Sequence, residues 1–125
     1  MLTVSDQQGF RLVEGPQDLP LMRTSLDATI VIEACFSGKA RAALLYASNL
    51  PSRFFDLSSG EAGEILQKFR QYRIRLAVVR PPGAVPFSSR FPELLAEESS
   101  KPYFGVFDSC EAAKKWLAAP NQTIP

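Results

Sequence analysis

The feature that most constrains this chain is a β-α-β pattern in its middle. Ala42 to Ala47, AALLYA, is a short continuous apolar run of the kind a strand shows when it is covered on both faces. Ile74 to Val79 is a second such strand. Between them, Ala62, Ile65, Leu66, Phe69 and Tyr72 follow the three-and-four spacing of an amphipathic helix, with Gln67, Lys68, Arg70 and Gln71 largely on the other side. A strand, a helix and a second buried strand in succession imply a parallel pair joined by a right-handed crossover.

The flanking sequence extends this pattern. Leu2 to Val4 and Phe10 to Glu14 read as strands around the turn-like Ser5 to Gly9, a hairpin at one edge of the sheet. Gly15, Pro16 and Pro20 then break the chain. A helix is expected from about Leu21 to Phe36, with Leu26, Ile30 and Ala34 and the flanking Val31 and Cys35 as its apolar stripe, stopped by Ser37-Gly38. A third helix is expected over Ser88 to Ser99, with Pro92 in its first turn. Tyr103 to Phe107 reads as a strand, and Asp108-Ser109 caps a last helix whose Ala113, Trp116 and Leu117 point inward. The expected order is ββαβαβαβα: an α/β domain with about five strands, about four helices and a mostly parallel or mixed sheet.

The 125 residues fit one domain over 1–119, followed by a flexible tail at 120–125. With 14 basic and 13 acidic side chains, the chain lacks the net positive field that nucleic acid or anionic lipid demands. Ala28 to Gly38, its longest nearly uncharged stretch, is too short to span a bilayer, and the amino terminus carries no signal-peptide pattern. The cytoplasm is the expected location. There is no histidine, and Cys35 and Cys110 lie far apart, which removes a Cys–His catalytic pair and leaves no metal-ligand spacing. No metal or other cofactor is expected, and both thiols read as packing residues.

Only one stretch concentrates hydrogen-bonding groups, Phe54 to Phe69, FFDLSSGEAGEILQKF. Ser58 and Glu61 match a capping box, in which the serine hydroxyl takes an orphan helix amide and the glutamate reaches back. Asp56 is an alternative cap. Glu61 and Glu64 precede Lys68 and Arg70, the charge order the helix dipole favours. Gly60 and Gly63 leave little side chain around the helix start, so its amides can hold an anion or meet a partner's backbone. Phe54 and Phe55 are adjacent; one is expected in the core and the other over the helix start or against a partner. Lys68, Arg70, Arg73, Arg75 and Arg80 read as a solvated rim.

Asp56-Leu57-Ser58-Ser59-Gly60-Glu61-Ala62-Gly63 resembles the Asp-Ser-Ser-Gly-x-Gly motif of STAS domains, the anti-sigma-factor antagonist fold. The resemblance implies that Ser59, or else Ser58, is phosphorylated by a kinase-type anti-sigma partner, and that the phosphate switches binding off. Phe54 to Phe69, Tyr72 to Ala77 and Phe104 to Ala112 more closely resemble the small bacterial proteins called domain of unknown function 4180, which carry no established activity. The expectation is therefore a STAS-like, non-enzymatic regulatory or protein-interaction module with Asp56, Gly60, Gly63 and Phe55 at its partner surface. The alternatives are an anion- or small-molecule-binding domain using the same helix start, and a structural homodimer with no switch.

Overall fold

The computed structural model describes residues 2–7, 10–17, 19–51, 53–56, 60–80 and 103–118. Strands β1 (Thr3–Gln7) and β2 (Phe10–Glu14) form the expected edge hairpin, in which Val4 lies opposite Val13. Its first strand runs through Ser5 to Gln7, three residues beyond the expected end. Strands β3 (Ala42–Tyr46), β4 (Arg75–Val79) and β5 (Phe104–Phe107) continue the sheet in parallel with β2, in the order β1-β2-β3-β4-β5. The sheet is therefore mixed, with one antiparallel edge pair.

Helices α1 (Ala28–Gly38) and α2 (Glu61–Gln71) are the crossovers between β2 and β3 and between β3 and β4. Sequential strand order with right-handed crossovers places both on one face. There they bury Val13, Ala43, Leu45, Leu76, Val78 and Phe104 under Val31, Cys35, Ile65 and Phe69. Leu12, Ala42, Leu44, Ala77 and Val79 point the other way and are covered by Ala113 and Leu117 of α3 (Cys110–Ala118). All five residues of β3 and of β4 are buried, the physical basis of the apolar runs Ala42 to Tyr46 and Leu76 to Val79. Ser109 Oγ accepts from Ala112 N–H at 3.1 Å, the N-cap expected of that residue. The helix expected over Ser88 to Ser99, the Pro81 to Phe87 loop and the 120–125 tail lie outside the described residues.

The start and facing of α1 differ from expectation. A 3-10 turn, Ser25–Asp27, precedes it and is capped by Thr24, whose Oγ1 accepts from Leu26 N–H at 3.2 Å. Leu21 and Met22 are not helical, because their amides donate to the Asn49 carbonyl at 3.3 and 2.8 Å. The buried stripe is Ala28, Val31, Ile32 and Cys35, an i, i+3, i+4, i+7 set, while Leu26 and Ile30 are exposed. Gly38 does not provide the left-handed stop. Lys39 does, with φ 56°.

Candidate functional site

The loops that follow β2 and β3 meet at the carboxyl edge of the sheet, and Asn49 holds them together. It ends a short 3-10 turn, Ala47–Asn49, and is fully buried. Its Oδ1 accepts from Tyr46 N–H at 2.7 Å, and its Nδ2 donates to the carbonyls of Pro16 at 2.7 Å and Leu19 at 2.8 Å. Together with the bonds to its own carbonyl, this one residue ties down Pro16, Leu19, Leu21 and Met22. The signal available for it in the sequence was a polar residue two positions after the apolar run AALLYA.

Beyond Asn49 the chain turns tightly, with Phe54 N–H donating to Pro51 O and Asp56 N–H to Arg53 O. Phe54 and Phe55 are both buried, their rings edge to face with centroids 5.0 Å apart, and Phe54 also meets Phe104. This corrects the placement of one phenylalanine over the helix start or against a partner: the turn here lets adjacent side chains enter the same core, which an extended pair cannot do. Arg80 lies 5.7 Å from the Phe55 ring centroid. Asp56 is half-buried. Ser58 and Ser59 lie outside the described residues.

At the start of α2 the N-cap position belongs to Gly60, in the left-handed region at φ 80° and with no side-chain cap bond. Ser58, the other half of the expected Ser58–Glu61 capping box, lies outside the described residues. The Glu61 carboxylate accepts from Ser25 N–H at 2.6 Å, and Glu64 accepts from the Ser25 hydroxyl. Ser25 is buried and belongs to the preceding crossover, so these first-turn carboxylates bind α2 to the turn ahead of α1. Gly60 and Gly63 are exposed, and among the described residues no heavy atom beyond their own chain neighbours and helix backbone lies within 4 Å of where a Cβ would stand on either.

The basic residues expected as one solvated rim separate. Arg75 is buried on the α3 face, its guanidinium carbon 3.9 Å from the Trp116 ring centroid and its Nη1 donating to the carbonyls of Trp116 and Leu117. On the same face Tyr46 Oη donates to Glu14 Oε2 at 2.9 Å and accepts from Gln17 Nε2, while Lys114 pairs with Glu14 at 3.6 Å. Burial, reinforced by Glu14, raises the Tyr46 phenol above its ordinary range. These contacts fasten α3 to the sheet. Among the described residues no group of three or more histidine, cysteine, aspartate or glutamate side chains is arranged to hold a metal ion. Nor, among them, is any helix long and apolar enough to cross a membrane.

Fold and site together define a small α/β domain with a mixed five-stranded sheet, whose buried polar groups hold its crossovers around an open, glycine-flanked helix start. The chain belongs to the family described as a domain of unknown function, DUF4180, whose profile matches residues 7–117. That is the closer of the two resemblances carried by Phe54 to Phe69. No curated protein and no solved structure matches the chain.

Proposed function

We propose that this protein is a STAS-like, non-enzymatic regulatory module of the bacterial cytoplasm that engages a protein partner through the loop after β3 and the start of α2. The observation that carries the reading is the open space over Gly60 and Gly63, two exposed glycines one helical turn apart. Gly60 at φ 80° serves the turn into the helix, but Gly63 lies within α2, where a glycine costs roughly 0.5–1 kcal/mol relative to alanine, so its bare backbone has a use beyond folding. A partner's main chain can approach such a surface closely.

The tethered carboxylates favour a protein partner over the anion-binding alternative. Glu61 and Glu64 are held within the first turn by Ser25, so a free anion at the α2 amides meets two negative charges as well as the dipole's attraction. The same charges make phosphorylation of Ser59, or of Ser58, an effective off-switch, since a phosphate of nearly two negative charges added beside them repels and reshapes the surface.

Gly63→Gln provides the direct test, because the added side chain has room and does not disturb the core. Affinity capture with the wild-type protein is expected to retain a partner that Gly63→Gln loses and that the Ser58/Ser59 double alanine variant, which cannot be switched off, still holds, with circular dichroism unchanged. Intact mass of protein from its native host, before and after phosphatase, is expected to differ by one phosphate. Identical captures from all three proteins would overturn the surface. Absence of phosphate across growth states would overturn the switch alone.

A further inference from the structure

At the opposite edge of the sheet lies a cleft of about 420 Å³ between the C-terminal ends of α1 and α2. Its rim carries Phe36, Lys39, Arg41, Tyr72 and Arg73, all of them exposed, and its floor includes the buried Cys35 and Ile74. Phe36 and Tyr72 are 56% and 45% exposed and stand edge to face, with centroids 5.4 Å apart, leaving ring surface open to solvent. Among the described residues, none of Lys39, Arg41 and Arg73 has a carboxylate within ion-pair distance.

The ordinary explanation for cations here is compensation of the helix dipole. Two helix ends supply roughly half a negative charge each, so they offset about one of the three positive charges and leave a net excess of about two. Compensation also leaves Arg41 unexplained, since it precedes β3 and belongs to no helix, and it says nothing of two neighbouring exposed aromatics. Lys39 and Arg73 moreover hold φ of 56° and 58°, the left-handed conformation that glycine adopts without penalty. A side chain there costs about 1–2 kcal/mol. Both helices therefore end on a strained cation at a position where glycine would serve as a stop, and both cations line the same cleft.

We propose that this cleft binds a small planar anion, an aromatic ring bearing a phosphate or carboxylate. The ring stacks against Phe36 and Tyr72, and the anionic group is received by Arg41, Arg73 and Lys39. The arginines offer bidentate donors to phosphate or carboxylate oxygens. The volume suits a ligand of one or two fused rings, and the buried floor supplies the apolar contact that small-molecule sites require. This site is on the far edge of the sheet from the α2 start and stands or falls independently of it.

The test is titration of the full chain, followed by backbone amide NMR and calorimetry, with 1-naphthyl phosphate and adenosine monophosphate as probes. Inorganic phosphate and 1-naphthol serve as controls lacking one half of the chemistry. Saturable shifts centred on Phe36, Lys39, Tyr72 and Arg73 are expected with both probes, weakening as salt rises, with each control weaker by roughly tenfold or more. Arg41→Glu and Tyr72→Ser alter exposed side chains and are each expected to weaken the probes by roughly tenfold while leaving the melting temperature of the unliganded protein nearly unchanged. Binding unaffected by either substitution, shifts located elsewhere, or no saturable shift with either probe would overturn the proposal. Tight binding of a single-stranded oligonucleotide with no binding of either mononucleotide-sized probe would also overturn it, by assigning the cleft to a polymer.

Discussion

The side-chain amide of Asn49 occupies the space beside Gly15 so closely that a Cβ on that glycine would lie 2.3 Å from Asn49 Oδ1. The bare backbone at residue 15 and the amide at residue 49 are a matched pair. One removes a side chain so that the other can reach Tyr46 N–H and the carbonyls of Pro16 and Leu19.

Asn49→Ala leaves one buried amide and two carbonyls short of a partner, and the loss is expected to be about 3 kcal/mol. For a chain of this size that lowers the melting temperature by on the order of 10 °C. Gly15→Ala is expected to destabilise through overlap with the same amide. Thermal or urea unfolding of the double variant checks the pairing: its loss should fall well short of the sum of the two single losses. Additive losses would show that the two residues act separately.

Ser25 joins the two crossovers through Glu61 and Glu64. Ser25→Ala removes the hydroxyl bond to Glu64 and retains the amide bond to Glu61, and is expected to cost about 1 kcal/mol. Glu61→Ala removes the acceptor for the Ser25 amide, so hydrogen exchange at that amide should accelerate. Glu61→Gln keeps an oxygen acceptor and should restore much of the protection.

Burial pushes the Cys35 thiol up to about 12 from an ordinary value near 9. The folded protein therefore holds a proton that the unfolded chain releases, so this contribution is complete below pH 9 and is lost as pH rises toward 12. Its slope is at most about 1.4 kcal/mol per pH unit for one proton. Tyr46, raised in the same direction, adds to the decline above its ordinary value near 10. Urea unfolding between pH 8 and pH 11 should show stability falling, and Cys35→Ala should flatten the part that begins near pH 9. In native protein at pH 8, the half-buried Cys110 should react with a thiol reagent well before Cys35.

Arg75 holds the end of α3 through the Trp116 ring and two terminal carbonyls. Arg75→Met keeps most of the buried stem and removes the guanidinium, at an expected cost of about 2 kcal/mol. Trp116 is the only tryptophan, so its emission reports the site directly. A red shift is expected as α3 loosens, and Arg75→Lys should recover little, since an ammonium does not reproduce the planar donor set.

The sequence by itself determined the elements whose signals are local. AALLYA and the run ending at Val79 are apolar because strands covered on both faces exclude water, and both are central strands. The Ala62 to Phe69 spacing marks one helix face, and Ser109 caps the helix that begins beside it. Phe54 to Phe69 also carried the family. Ser58 and Ser59, the heart of its candidate switch, lie outside the described residues, while the flanking Gly60 and Gly63 stand open.

Tertiary structure decided whatever depends on partners distant in the chain. Periodicity alone extended the first helix back to Leu21, but Asn49 takes the amides of Leu21 and Met22 and delays it. A capping pattern spans three positions, but the bond from Ser25 N–H to Glu61 spans 36 and has no local signal. Lys39, Arg41 and Arg73 share a cleft only because parallel pairing brings the start of β3 beside the start of β4. Propensity and capping act over a few residues, whereas such contacts follow from register and crossover hand, which become fixed only when the sheet is assembled.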